Sequence, residues 1–187
     1  MTPLEWTLLE STYVLRDQWI TVRADKCRMP NGHVVEPYYV LERPDDWVHV
    51  VAVTDDQQVV LVRQYRHGIR QVILEIPGGA VELDGESHIE AARRELLEET
   101  GYGGGDFVQV GKVAPNPANQ TNLLYTFVAT GVRFLGHNHM DETEQIETVL
   151  VPVDQVVGLV KAGEFLQAMH VSSLFFALNH LGKLQAQ

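Results

Sequence analysis

Gly78-Gly79-Ala80-Val81-Glu82-Leu83-Asp84-Gly85-Glu86, continued through Ser87 to Arg94-Glu95-Leu96-Leu97-Glu98-Glu99-Thr100-Gly101-Tyr102, is the stretch that decides how this chain is read. Its second half carries the punctuation of a helix. Ser87 is an N-cap, and Glu90, three residues on, completes a capping box. Gly101 stands where a C′ glycine closes a helix. Ile89, Ala92, Leu96 and Thr100, spaced by three and four, form the apolar stripe that faces a core. Glu95, Glu98 and Glu99 fall at i, i+3 and i+4, so the spacing predicts three carboxylates on one face, away from that stripe. Like charges so placed destabilise a bare helix and ask for a compensating cation. Hard carboxylate oxygens suit Mg²⁺, Mn²⁺ or Ca²⁺. Arg94, beside Glu95, can orient a carboxylate through a forked hydrogen bond. The plain alternative is a solvated acidic face. The glycine bend before the helix weighs against it, because a backbone turn beside carboxylates makes room for a ligand.

Val72–Ile76 reads as a strand that ends at Pro77-Gly78-Gly79. Trp47–Thr54 and Gln58–Arg63 read as a hairpin about Asp55-Asp56-Gln57. Arg43-Pro44-Asp45-Asp46 is turn chemistry and marks a boundary. Before it lie short strands at Tyr13–Arg16 and Trp19–Ala24. Asn31-Gly32 signals a two-residue hairpin turn between Cys27–Met29 and Val34–Val40. Downstream, the loop Gly103-Gly104-Gly105-Asp106 precedes strands at Phe107–Val113, Leu123–Ala129 and Ile146–Val151. Helices at Asp154–Ala162 and Ser172–Leu181 follow. Strands and helices mix without strict alternation, which indicates an α+β class, an α/β/α sandwich. Two regions are expected: an N-terminal β subdomain, 1–44, and a main domain, 45–187.

From Gly79 to Tyr102 the sequence resembles the Nudix box, G-x5-E-x7-R-E-U-x-E-E-x-G-U, where U is bulky and apolar. The second half matches at every specified position. The first half carries one extra residue, six rather than five separating Gly79 from Glu86, an insertion in the loop before the helix. The resemblance covers residues 47–155 and implies a Nudix fold, with a mixed β-sheet and an N-terminal antiparallel β subdomain. It also implies a Nudix pyrophosphohydrolase that cleaves a nucleoside diphosphate linked to another moiety, X, giving a nucleoside monophosphate and a phosphorylated X. By motif position Glu95 and Glu99 would be the main ligands of Mg²⁺ or Mn²⁺. Glu98 would be a further or alternative ligand, and the carbonyl of Gly78 would complete the shell. Asp141–Ile146 (DETEQI) resembles the acidic loop of ADP-ribose and nucleotide-sugar pyrophosphatases. Glu144 or Glu142 would then be the general base or a late-joining metal ligand, against the alternative of a solvated loop. His137-x-His139 reads as solvated loop histidines rather than a metal pair.

Arg63-Gln64-Tyr65-Arg66-His67-Gly68 resembles the strand-end QYR motif of the ADP-ribose branch, and Leu74–Gly79 resembles its E-x-P-x-G entry to the box. Arg66 would pair with substrate phosphate, where a guanidinium fork fits best, with Arg63 beside it in the same motif. Surface solubility is the other reading of both. Glu75 is a site carboxylate or an arginine's partner; the strand-end position favours the site. Pro115–Asn122 is a polar loop whose amides, Asn122 among them, suit a sugar or a base. Trp6, Trp19 and Trp47 are read as core residues. ADP-ribose or a nucleotide sugar is the leading substrate class. A nucleoside triphosphate, a dinucleoside polyphosphate or coenzyme A is the alternative, and a non-catalytic nucleotide sensor is a third reading, disfavoured by the intact helix carboxylates.

The whole-chain numbers agree. With 45% hydrophobic and 21% charged residues the composition is globular, which excludes a disordered chain. The 25 acids and 14 bases give a formal net charge of −11, which argues against gripping a nucleic-acid backbone. That acidity is local. Residues 82–99 hold seven acids and residues 141–147 hold four, against only Arg93 and Arg94. A metal site would invert the local sign and admit a small anionic nucleotide. Cys27 is the single cysteine, which suits a reducing compartment. Met1–Glu10 has no basic, then apolar, leader pattern, and no apolar run approaches the roughly 20 residues of a membrane span. A cytoplasmic protein is expected, with no nucleic-acid or membrane partner. In the ADP-ribose branch the N-terminal strands reach across a homodimer, so residues 1–44 are expected to act as a dimerisation arm.

Overall fold

Seven of the eight residues of β4 (Trp47–Thr54) are buried, all but Trp47. A strand apolar on both faces belongs in the middle of a sheet covered on both sides. The computed structural model describes residues 4–82, 84–136 and 145–184, and it places β4 there. Its parallel neighbour is β10 (Leu124–Phe134), and its antiparallel neighbour is β5 (Gln58–Arg66). β11 (Ile146–Pro152) and β6 (Gln71–Glu75) add to β5; β7 (Gly78–Ala80) adds to β4; β8 (Tyr102–Gly103) and β9 (Asp106–Val113) add to β10. The result is an eight-stranded mixed sheet.

Alternation along the strands builds two cores. Val48, Val50 and Ala52 pack with Ala91, Ala92 and Leu96 of α1 (His88–Thr100). Val51 and Val53 pack with Val156 of α2 (Val156–Ala162) and with Leu174, Ala177 and Leu178 of α3 (Ala168–His180). Helices therefore cover both faces, as an α/β/α sandwich requires. By the same period of two, His49 is a polar residue on the α3 face.

The chain divides into two compact units, residues 1–45 with 114–123 and residues 46–113 with 124–187. The first contains an antiparallel sheet of β1 (Thr7–Arg16), β2 (Thr21–Arg28) and β3 (Val34–Leu41). Segment 114–123 is laced to the end of this sheet. The Leu41 amide donates to the Asn119 carbonyl at 2.7 Å, the Arg43 amide donates to Thr121 Oγ1 at 2.9 Å, and the Tyr38 hydroxyl donates to the Ala118 carbonyl. Every residue of β1 is exposed.

The structure corrects several local expectations. The β2–β3 hairpin closes through five residues, Met29–His33, not two. A two-residue primed turn around Asn31-Gly32 would need an N–H on residue 30, which proline lacks, and a positive φ at Asn31, which that residue does not take. Instead the Gly32 amide donates to Met29 at 2.9 Å and Gly32 takes φ +86°. Helix α3 starts at Ala168 rather than Ser172, and 153–155 is a 3-10 turn leading into α2. Ile89 leaves the apolar stripe and is exposed, while Glu99 is buried. Trp6 and Trp19 are exposed rather than packed.

Candidate active site

The site begins where β7 meets α1. β7 pairs His49 with Gly78 and Val48 with Gly79. A Cβ on Gly78 would lie 2.1 Å from the Val48 carbonyl oxygen, and one on Gly79 would lie 2.4 Å from Glu95 Oε1. Both glycines are therefore demanded by close approach: the first to backbone, the second to a helix carboxylate. The helix is fixed at both ends as its sequence requires. Ser87 and Glu90 form the capping box, and Gly101 closes the helix at φ +73° with its amide on the Leu97 carbonyl. With α1 so held, the buried Glu99 accepts the Gly78 amide at 3.0 Å.

Arg94 gathers the remaining carboxylates. Its Nε donates to Glu86 Oε1 at 2.8 Å and Nη2 to Glu86 Oε2 at 3.0 Å. Nη1 donates to Glu95 Oε1 at 2.9 Å and to Glu98 Oε2 at 3.0 Å, and Nη2 also reaches the Ala80 carbonyl at 2.9 Å. Glu82 adds a longer ion pair at 3.9 Å. The hydrogen bonds to Glu86, and the carboxylates around it, push the Arg94 pKa up. The same Arg94 bonds hold the Glu86 carboxyl below the usual range. One guanidinium thus faces four carboxylates, with Glu99 as a fifth on the same helix. The negative charge is under-compensated, and the donors are hard oxygens, the chemistry that Mg²⁺ or Mn²⁺ satisfies. Among the described residues no three acidic, histidine or cysteine side chains form a preassembled cation cage. Arg94 bonds one oxygen each of Glu95 and Glu98, which fixes the orientation of both carboxylates.

A second polar group centres on Glu75, three residues before Gly78. Arg66 forks onto Glu75, Nε to Oε1 at 2.9 Å and Nη2 to Oε2 at 2.7 Å. The Glu75 side chain is only 2% exposed, whereas that of Arg66 is 46% exposed. Glu75 therefore serves the arginine rather than a ligand, against the site role expected of it, because both its oxygens are buried on Arg66. Burial would raise its pKa; neighbouring His170 and Arg66 outweigh burial and hold it low. Behind Glu75 lie His170 and Ser173 of α3 and His49 of β4, all buried. Position alone gave no signal for His170 or Ser173. His49, a polar residue inside WVHVVAVT, did.

Arg63 is exposed and paired at 3.7 Å with the exposed Glu147. Asn122 lies in the first compact unit, buried, and its side-chain amide bonds to no described residue. Glu142 and Glu144, with the rest of 137–144, lie outside the described residues.

A family model described as NUDIX domain matches residues 44–169. The chain belongs to the Nudix hydrolase family. A second model, described as nucleoside diphosphate sugar hydrolase N-terminal domain, matches residues 6–41. The Nudix hydrolase is 28% identical over 169 residues to an ADP-ribose pyrophosphatase of Bacillus subtilis (strain 168), covering 90% of each chain. It is 30% identical over 171 residues to ADP compounds hydrolase NudE of Escherichia coli (strain K12), covering 90% of this chain and 89% of that protein. Its structure superposes on a crystal structure of an ADP compounds hydrolase with a TM-score of 0.85, at 28% identity, covering 96% and 97% of the two chains.

In this Nudix hydrolase the extra residue of the box does not displace Glu86. The chain turns at 84–85 with Gly85 at φ +105°, and the Glu82 amide donates to Glu86 Oε2 at 2.9 Å. Glu86, whose role the insertion obscures in sequence, is the carboxylate Arg94 holds with two bonds.

Proposed function

We propose that this Nudix hydrolase cleaves the pyrophosphate of a nucleoside diphosphate linked to X, ADP-ribose or a nucleotide sugar, to a nucleoside monophosphate and a phosphorylated X. The observation that carries the reading is the Arg94 knot of carboxylates against the Gly78-Gly79 turn. It is a fixed patch of excess negative charge that an anionic substrate meets only together with divalent cations. The names of the relatives, ADP-ribose pyrophosphatase and ADP compounds hydrolase, support the substrate class.

Glu95 and Glu99, with Glu98 and the Gly78 carbonyl, would hold Mg²⁺ or Mn²⁺, whose chemistry there is to neutralise charge building on the phosphate oxygens. Arg66, locked by Glu75, receives a phosphate on its exposed side. Glu144 or Glu142 takes the proton of the attacking water, whose oxygen bonds to phosphorus as the bridging P–O bond breaks. Arg94 keeps Glu95 and Glu98 oriented. Arg63 completes the substrate contacts. The protein works as a homodimer in the cytoplasm. Exposed Leu8, Tyr13, Val14 and Leu15 on β1 support a subunit interface, since an apolar strand surface of this kind favours pairing.

The test is a substrate panel with Mg²⁺: ADP-ribose, nucleotide sugars, dinucleoside polyphosphates, coenzyme A and nucleoside triphosphates. Release of AMP and ribose 5-phosphate from ADP-ribose, or the matching pair from a nucleotide sugar, is expected. Folded protein that releases nothing from any of them overturns the reading.

A further inference from the structure

The buried polar groups on the α3 face of the sheet form a cluster that reaches the site from two directions. On one branch, the Ile76 amide donates to His170 Nδ1 at 3.2 Å. Nδ1 is therefore an acceptor, and the ring hydrogen sits on Nε2. Nε2 faces Glu75 Oε1 at 3.6 Å, too long for a hydrogen bond but close enough to act electrostatically in a site with almost no solvent. Glu75 gives both oxygens to Arg66.

On the other branch, His170 stacks on His49, with ring centroids 4.3 Å apart and planes 6° from parallel. His49 Nδ1 meets Ser173 Oγ at 2.9 Å, and Ser173 Oγ meets Thr126 Oγ1 at 2.9 Å. The His49 ring also underlies Gly78, where a Cβ would come within 2.9 Å of His49 Cδ2. Gly78 in turn holds Glu99. His170 is 2% exposed, His49 7% and Ser173 0%. An apolar side chain of like volume would fill this space without the desolvation cost of a polar one. A polar chain kept here, ending on Arg66 at one side and Gly78 at the other, has a geometric task.

We propose that His170 of α3 is a positioning residue for the pyrophosphate site. Through Glu75 it fixes the Arg66 guanidinium that receives the substrate phosphate, and through His49 it supports the Gly78 turn. The inference rests on the function proposed above in taking Arg66 as a phosphate ligand. Arg66 carries a long, half-exposed side chain, and an unfixed guanidinium would lose affinity to its own rotamer freedom. Glu75 can lock it only if Glu75 itself has one orientation, and His170 is the group behind it.

The test uses the full-length protein and two variants of His170. His170→Phe keeps the ring and its stacking on His49 but removes both nitrogens. His170→Asn keeps an acceptor for the Ile76 amide but lacks the Nε2 group facing Glu75. Each is measured alone and in an Arg66→Ala background, with ADP-ribose and Mg²⁺ as the probe. Both variants are expected to raise KM about tenfold, equivalent to about 1.4 kcal/mol, with kcat changed less than KM. In the Arg66→Ala background the same substitutions are expected to add less than about twofold, because the residue they act through is gone. Equal fold losses in both backgrounds, or full rescue by His170→Asn, assign His170 a purely structural role and overturn the proposal.

A second readout needs no turnover. The ¹⁵N-labelled Arg66 Nε–H resonance is expected to be sharp and slowly exchanging in the wild type and exchange-broadened in both variants. An unchanged resonance overturns the proposal. Lack of turnover by wild-type protein across the panel overturns the functional reading and leaves the positioning of Arg66 to be judged by this signal.

Discussion

Arg94 uses its guanidinium on Glu86, Glu95, Glu98 and the Ala80 carbonyl at once. Only a planar fork with five donors can do this, and a lysine point charge cannot. Arg94→Ala is therefore expected to weaken the apparent Mg²⁺ affinity, read from activity against Mg²⁺ concentration, by about 10–100-fold, the usual cost of losing a group that orients metal ligands. Arg94→Lys should recover little of it; full recovery would show that charge alone matters. Glu99→Gln is expected to remove turnover while the fold persists, since the Gln side-chain oxygen can still accept the Gly78 amide; unchanged turnover would remove Glu99 from the ligand set.

Glu86 supplies a pH test. Its folded pKa lies below the unfolded value because Arg94 bonds to the carboxylate. Its contribution to stability is present above the unfolded pKa of about 4.3 and is lost as pH falls through the lower folded value. Between about pH 5 and pH 3 the melting temperature of Glu86→Gln should fall less steeply than that of the wild type; parallel curves would contradict the pairing.

At the scale of the element, the β7–α1 contact separates a fold requirement from a site requirement in adjacent glycines. A methyl group at Gly78 meets the Val48 backbone oxygen, which cannot move without moving β4. Gly78→Ala is expected to cost about 1–3 kcal/mol of stability, as overpacking does. The three atoms nearest a methyl group at Gly79 all belong to the Glu95 carboxylate, the far end of a side chain that can swing aside. Gly79→Ala should melt close to the wild type and yet lose activity more than about tenfold, because the displaced group is a proposed ligand. Thermal melts paired with turnover check both; the reverse pattern would refute the assignment. The α1 cap is a milder case: Ser87→Ala should cost about 1 kcal/mol, the typical value of an N-cap side chain.

For the whole molecule, stability should depend on the buried histidine pair. Burial, His170 and Arg66 push the His49 pKa well below its usual range. The folded protein keeps His49 neutral while the unfolded chain protonates it, so stability declines as pH drops below about 6.5. Between about pH 8 and pH 5.5 the melting temperature should fall in the wild type, and less in His49→Asn; identical slopes would place the proton uptake elsewhere. The proposed dimer predicts twice the chain mass in sedimentation equilibrium at micromolar concentration, and a shift toward monomer for Leu8→Glu.

Much of this was legible in the chain. The α1 cap and its closing glycine, the apolar run of β4 and the i, i+3, i+4 carboxylates follow local rules of period and capping, which need no knowledge of distant residues. Local pattern alone was enough for the Nudix box and for Arg94 set beside Glu95. What the tertiary structure alone decided depends on contacts far apart in sequence: that Ile89 is exposed and Glu99 buried, that Glu75 serves Arg66, that Glu86 joins the knot despite the inserted residue, and that His49 and His170 stack 121 positions apart. A helix period assigns faces, but packing decides which member of a face meets the sheet. A buried histidine pair comes into being only when a strand and a C-terminal helix close over the same core.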